Sequence, residues 1–359
     1  MADGQPQARE LAAYLDGLAR LGGAVSAIEV LVADDSQIRF RHAAGDRLGG
    51  EPLAPGARFD AASLTKPWMA TLALALEEEK SLALATPLTA IFGVQAATAG
   101  GATLEDLLRH RSGIAAWTPL GPKLGKCLTD RAALASFLLT SSLWQRSPAT
   151  SPMTLYSDLG YILWGLAVEK VTGDRLSDVL DRYVCEPLDL APLGALAGKP
   201  PAEQIVECRL DNWKEVELAA EQGMQLTRQA PFLRGVPQDG NARAIGVLTG
   251  HAGLFVTADE QLALGREWLR PERVLTRAAV DRTLAGEGAF ALGWARQSDD
   301  GSSGPALTPS AFGHTGFTGG SLWLEPARQR IVVILAHRLS SRLDLNPIRR
   351  EIHRLAGQI

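Results

Sequence analysis

Ser63-Leu64-Thr65-Lys66-Pro67-Trp68-Met69-Ala70-Thr71-Leu72-Ala73-Leu74-Ala75-Leu76 is the stretch on which the reading of this 359-residue chain turns. It opens with a hydroxyl and an amine three residues apart. It continues as an apolar run at helical spacing, with Trp68, Leu72 and Leu76 recurring on one face beside Met69 and Ala73. Residues i and i+3 of a helix lie about 5–6 Å apart at Cβ, within reach for the Lys66 amine to take the Ser63 proton. A serine hydroxyl is a weak nucleophile until a neighbouring base does so. Pro67 is tolerated in a first helical turn but biases Lys66 towards extended backbone, so the pairing depends on where the helix begins.

Outward from this stretch the periodicity changes twice. On the amino-terminal side, residues 7–21 read as an amphipathic helix, followed by strands at 24–33 and 37–44 joined by the Asp34-Asp35-Ser36 turn. A Gly/Pro-rich stretch, 49–56, leads to the tetrad. On the carboxy-terminal side, helical pieces dominate residues 82–229, at 104–109, 131–140, 159–172 and 176–184. Strand patterns return at 253–257, 291–295, 321–325 and 330–336, and a last helix covers 346–356. Beta-rich ends around a helical middle predict an α/β (α+β) fold: an antiparallel sheet built from both chain ends, flanked by helices, with an all-helical lobe inserted. The expected division is an α/β lobe from residues 1–80 and 242–359 and a helical lobe from 81–241.

Composition narrows the function. A net charge of −4 without a Lys/Arg-rich run leaves no footprint for nucleic acid or an anionic membrane surface. The longest apolar runs, such as 331–336, are strand-sized, far short of a membrane span. Met1 to Pro6 lacks the basic start and apolar stretch of a secretory signal, which favours the cytoplasm unless a leader has been removed. Cys127, Cys185 and Cys208 are widely spaced with no CxxC, and the histidines show no HExxH-type spacing, so neither a disulfide framework nor a metal site is expected. No cofactor motif is present either, there being no GxSxG, P-loop or GxGxxG.

Two further motifs keep company with the tetrad. Tyr156-Ser157-Asp158 opens a strongly apolar helix after a Ser151-Pro152 turn, and a phenol beside an ammonium can share proton traffic. On the residues alone it reads equally as a capping turn with Ser157 or Asp158 as N-cap. His314-Thr315-Gly316-Phe317-Thr318-Gly319 precedes the strand at 321–325; its glycines allow close approach, and its N–H groups can face a developing oxyanion. It too is compatible with a simple turn, and Arg111-Ser112-Gly113 shows how common such tripeptides are.

The order SxxK, YxD, HTG resembles the serine β-lactamase / penicillin-binding-protein-like superfamily, in the class C-like branch that includes family VIII carboxylesterases, D-alanyl-D-alanine carboxypeptidases and transacylases. Residues 104–113 are similar to that branch's "LLTHTSG" segment, 165–188 to its "LG…EKVTG…EPL" helices, and 250–255 to its "GHAGLF" segment. The resemblance implies Ser63 as acyl-accepting nucleophile, Lys66 as its base or proton shuttle, and Tyr156 as general acid/base serving the leaving group. It also implies an oxyanion hole from the N–H groups of Ser63 and Phe317, with Asp158, His314, Thr315 and Gly316 beside the substrate. Two departures stand out. Asp158 occupies the asparagine position of YxN, where a carboxylate favours Lys66 as ammonium and shifts base duty to Tyr156. His314 replaces a lysine, exchanging a permanent cation for one expected to titrate near neutrality. Both changes weaken recognition of a substrate carboxylate. The expected activity is hydrolysis of small acyl esters through an acyl-serine, with a small-molecule ester or amide as partner. The alternatives are a D-amino-acid peptidase, β-lactam-hydrolysing or transacylase enzyme, and a non-catalytic penicillin-binding-like sensor.

Overall fold

The computed structural model describes residues 6–20, 23–47, 50–144, 154–196, 204–229, 233–246 and 248–359. The Ser151-Pro152 turn, Leu21 and Gly49 lie outside them.

Period-two apolar patterning places strands from both chain ends in one sheet. Strands β1 (Val25–Asp34) and β2 (Ile38–Gly45) form the expected hairpin. Short β3 (Phe59–Asp60) pairs with β4 (Phe255–Val256) as a separate two-stranded ladder. Then come β5 (Ala295–Arg296), β6 (Phe312–Thr315), β7 (Gly319–Glu325) and β8 (Arg330–Arg338). Among the described residues the main sheet has six strands in the order β2-β1-β8-β7-β6-β5, all antiparallel. The first and last long strands are therefore central neighbours, with Val30 opposite Ile334.

Both faces of the sheet are covered, which is why 331–336 is apolar without alternation. Ile28, Val30, Val332 and Ile334 pack against helices α1 (Pro6–Ala19) and α14 (Asn346–Ala356). Leu31, Ile331, Val333 and Leu335 face the larger core with α2 (Thr65–Glu78) and α12 (Ala258–Leu269). The middle of the chain carries α3 (Leu88–Phe92), α4 (Leu104–Leu108), α5 (Leu120–Leu124), α6 (Arg131–Leu138), α7 (Asp158–Thr172), α8 (Leu176–Leu180), α9 (Leu193–Leu196), α10 (Trp213–Glu221) and α11 (Gly240–Ile245). Helix α13 (Arg277–Leu284) follows α12. The helix expected over 176–184 is α8 continued by a wider π turn, Asp181–Cys185. No helix among the described residues is long and apolar enough to cross a membrane.

Two helices run through the middle of the packing and set the site. Every residue of α2 from Thr65 to Leu76 is buried, so its apolar character runs all round rather than along one stripe. Truncating Trp68, wholly buried, to alanine costs about 3–5 kcal/mol. Helix α7 is buried from Leu159 to Val168, is N-capped by the Ser157 hydroxyl accepting from Gly160 N–H at 3.0 Å, and stops at Gly173 with φ +75°.

Two strands are shorter than their sequence pattern. Of residues 291–295 only Ala295 pairs, because Leu292 and Trp294 turn into the core and Gly293, at φ +74°, sits where a Cβ would meet the Ala70 Cβ at 2.4 Å. Those apolar residues pack on α2 instead of joining the ladder. Of 253–257, only Phe255–Val256 pairs.

Candidate active site

A tight turn presents the nucleophile candidate. Asp60 ends β3, and its carboxylate accepts from Ala62 N–H at 2.9 Å and from Gln238 N–H at 2.6 Å. Ala62 takes a left-handed conformation, φ +46°, a strained choice for a residue with a Cβ. A 3₁₀ turn, Ala62–Leu64, then runs directly into α2. The helix begins at Thr65, so Lys66 is helical ahead of Pro67, whose missing N–H falls among the donors that a helix start leaves free. The extended backbone that Pro67 favours at Lys66 is overridden by this turn.

Two side chains, one from the adjoining helical turn and one 93 residues on, meet at Ser63 Oγ. Lys66 Nζ donates to it at 2.8 Å and the Tyr156 hydroxyl at 2.9 Å. Lys66 Nζ also donates to Asp158 Oδ1 at 2.7 Å and to the His251 carbonyl at 3.2 Å, which occupies all three of its donors. Lys66 is wholly buried, whereas Ser63 is part-exposed at the cavity. Burial pulls the Lys66 amine down, but Asp158 and then Tyr156 pull it further the other way, and the net direction is up. Burial pushes the Tyr156 phenol up, Lys66 opposing and Asp158 reinforcing. At neutral pH the cluster therefore holds an ammonium paired with a carboxylate beside a neutral phenol. The expectation that Asp158 keeps Lys66 charged agrees with this geometry. At rest Lys66 and Tyr156 both keep their protons, so either acts as base only through its deprotonated minority form.

The Tyr156-Ser157-Asp158 segment is both of the things its sequence allowed. Ser157 caps α7, and that cap aims Tyr156 and Asp158 at Lys66. His110 supports the turn from below: its Nδ1 accepts from Ser157 N–H at 3.0 Å, and its ring lies 4.4 Å from that of Tyr156. Burial holds this imidazole well below its ordinary value, so it stays neutral.

The third motif forms the end of β6 and the turn into β7. Gly316 O accepts from Gly319 N–H at 3.1 Å, closing a turn with Phe317 and Thr318 at its corners. A Cβ at Gly316 would meet Ala61 O at 2.7 Å, so this glycine admits the backbone beside Ser63 rather than only a substrate. Ser63 and Phe317 line the same cavity, and among the described residues neither N–H is spent on a backbone acceptor.

His314 departs from expectation. It is buried, its Nδ1 lies 2.9 Å from the Thr315 carbonyl, and burial pushes it down to about 3. It is a neutral ring packed 6.0 Å from the Tyr156 ring, absent from the cavity wall, and supplies no cation titrating near neutrality.

The cavity in front of Ser63 holds about 320 Å³ and is walled from both halves of the fold. Thr315, Gly316 and Phe317 come from the sheet, and Trp117, Tyr156 and Asp158 from the helical middle. Trp144, Trp294 and Trp323 do not line it; Trp294 and Trp323 are buried core. Sequence reasoning missed Glu215, Gln238, Arg338 and Arg349, which line the cavity from α10, the segment before α11, β8 and α14. Asp239 caps α11 and also faces the cavity. Burial alone would raise Asp239, but His251, with Nε2 2.9 Å from its Oδ1, helps hold it at about 2. Burial and the neighbouring Asp239 raise Glu215 to about 7. Burial pushes the Cys185 and Cys208 thiols up to about 12, leaving them inert.

A 27% identical match over 259 residues is an N-acetylmuramyl-L-alanine amidase of Bacillus subtilis (strain 168), covering 65% of this chain and 55% of that protein. Esterase EstB of Burkholderia gladioli is 31% identical over 218 residues, 54% of each chain. The chain thus spans about half the length of these curated relatives. Among solved structures, EstCE1, described as a hydrolase with promiscuous acyltransferase activity, superposes with a TM-score of 0.73 at 18% identity over 97% of both chains. The sequence model of the Beta-lactamase family matches residues 9–356, from the first helix to the last, and with the Ser63–Lys66–Tyr156 cluster in place the chain belongs to that family.

Proposed function

We propose that this protein is a serine hydrolase that cleaves small acyl esters through a covalent acyl-Ser63 intermediate, residues 1–80 with 242–359 and residues 81–241 acting as the two lobes of one catalytic unit. The observation that carries this reading is the approach of both Lys66 Nζ and Tyr156 Oη to Ser63 Oγ, at 2.8 and 2.9 Å, on the wall of an open cavity. In acylation the neutral amine of Lys66, the minority form at rest, takes the Ser63 proton as Oγ attacks the carbonyl carbon. Charge gathers on the carbonyl oxygen opposite the Ser63 and Phe317 N–H groups. Tyr156, held protonated by burial, gives its proton to the departing alkoxide and is reprotonated from the Lys66 ammonium. Water then attacks the acyl-enzyme by the same proton path in reverse. Asp158 sets how much neutral amine exists at a given pH.

A second reading, hydrolysis or transfer of amides or peptides, is favoured by the Arg338 guanidinium on the cavity wall, which suits a substrate carboxylate. The names of the amidase and acyltransferase relatives fit it as well. A binding-only sensor is disfavoured, because Ser63 opens onto the cavity with Lys66 and Tyr156 both in hydrogen-bond reach of its hydroxyl. The test is a burst of chromogenic product equal to the enzyme concentration, fluorophosphonate labelling at Ser63, and loss of both in Ser63→Ala. Full turnover by that variant refutes the assignment. Faster turnover of a D-Ala-D-Ala peptide than of any ester selects the second reading.

A further inference from the structure

Helix α14 reaches the cleft through one side chain. Arg349 is 7% exposed, and its hydrogen-bond partners among the described residues are an amide oxygen and backbone carbonyls, with no carboxylate in hydrogen-bond range. Its Nη1 donates to Asn346 Oδ1 at 3.1 Å. Its Nη2 faces three backbone carbonyls, those of Gly316 at 3.2 Å, Gly319 at 2.9 Å and Gly320 at 3.1 Å. A buried guanidinium without a contact ion pair is costly, and here peptide dipoles offset it together with the charge of Asp344 acting through space. Those dipoles belong to the loop that carries Phe317.

A trans peptide is planar and points its C=O and N–H in opposite directions. Gly316 C=O and Phe317 N–H share one peptide. Because Arg349 Nη2 and Gly319 N–H both hold that carbonyl, the Phe317 N–H is turned to the opposite side and left unspent. The loop is fixed at two other points. The Thr318 hydroxyl donates to Asp60 O at 2.8 Å, and the Asp60 carboxylate holds Ala62 N–H, so the Phe317 turn is braced against the Ser63 turn. The Arg338 guanidinium lies 4.2 Å over the Phe317 ring.

We propose that Arg349 is a positioning residue for acyl transfer: by gathering the carbonyls of Gly316, Gly319 and Gly320 it orients the Gly316–Phe317 peptide so that the Phe317 N–H faces the oxygen that gains charge during attack by Ser63. This role rests on the reading of Ser63 as the acyl acceptor. It differs from binding a substrate carboxylate, because Nη2 is already committed to protein oxygens.

The experiment compares wild type, Arg349→Met and Arg349→Lys on two chromogenic esters with the same leaving group, one with a neutral acyl chain and one with a carboxylate on it. In Arg349→Met, kcat falls about 10- to 100-fold on both esters with KM within about threefold, since a misdirected donor costs somewhat less than a deleted one. A boronic acid, which forms a tetrahedral anion on Ser63, loses affinity by a similar factor, and Arg349→Lys recovers part of both losses. A loss confined to KM for the carboxylate ester makes Arg349 an anion-binding group and overturns the proposal, as does an unchanged kcat on both esters. Should Arg349→Met fail to fold, by its melting transition, Arg349→Lys alone must show the parallel loss in kcat and boronate affinity. Full turnover by Ser63→Ala is a separate outcome that removes the Ser63 reading and this role with it.

Discussion

Adding one methyl group at Gly316 tests the oxyanion arrangement by distance. An alanine Cβ there would sit 2.7 Å from Ala61 O, where ordinary contact begins near 3.4 Å. Neither side yields easily: Ala61 precedes the strained Ala62, and the Gly316 loop is held by Arg349 and by Thr318. The two backbones must separate by about 0.7 Å, and the Phe317 N–H moves with its loop. Productive donors lie about 2.7–3.1 Å from the oxyanion, so such a displacement takes this one beyond useful range, which costs about 10²–10³ in kcat. Burst kinetics on a chromogenic ester measure the acylation rate directly. Gly17→Ala in α1, where the added Cβ meets nothing within 4 Å, serves as control; it should leave the rate unchanged and raise stability by about 0.5–1 kcal/mol. A folded Gly316→Ala enzyme acylating at the wild-type rate would refute the placement of the hole between Ser63 and Phe317.

Three more outcomes follow from the same geometry. Tyr156→Phe keeps the ring against His110 but loses the proton given to the leaving group, so acylation slows about 10²–10⁴-fold, and less for esters of acidic alcohols. Asp158 raises the Lys66 amine; Asp158→Asn therefore frees the amine at lower pH and moves the acidic limb of the kcat/KM profile to lower pH, and an unmoved limb excludes Lys66 as the base. Burial raises Asp60 to about 6, above its ordinary 3.8, so the folded protein holds that proton more tightly and stability falls as pH rises through this window, by an order of 3 kcal/mol. Urea midpoints at pH 4.5 and pH 7 should show a smaller decline in Asp60→Asn than in wild type.

How much could be read in advance depended on how local the cause was. The hairpin of β1 and β2, helix α7 with its serine cap, and the apolar run of β8 follow from period and turn chemistry within a few residues. Ser63, Lys66 and Tyr156 were legible because their spacing and element starts are local signals. The neutral state of His314 was not, since it arises from packing against Tyr156 and from burial set by the whole fold. The irregular path at 291–294 was missed for a similar reason: Leu292 and Trp294 have strand character, and only the surface of α2 shows why they leave the ladder. Arg349 is one of several basic residues in the last helix, and its own spacing says nothing of the cavity. Its meaning lies in three carbonyls some thirty positions earlier.

The adjacency of β1 and β8 also has a consequence for biosynthesis. A nascent chain emerging amino-end first exposes β1 long before its partner has been translated, and Val30 must wait for Ile334. Loop closure of that length is slow, and an unpaired apolar edge in the interval invites chaperone capture or aggregation. The cavity is assembled on the same schedule: Ser63 is made early, whereas Phe317 and Arg349, which line the same cavity, follow long after it.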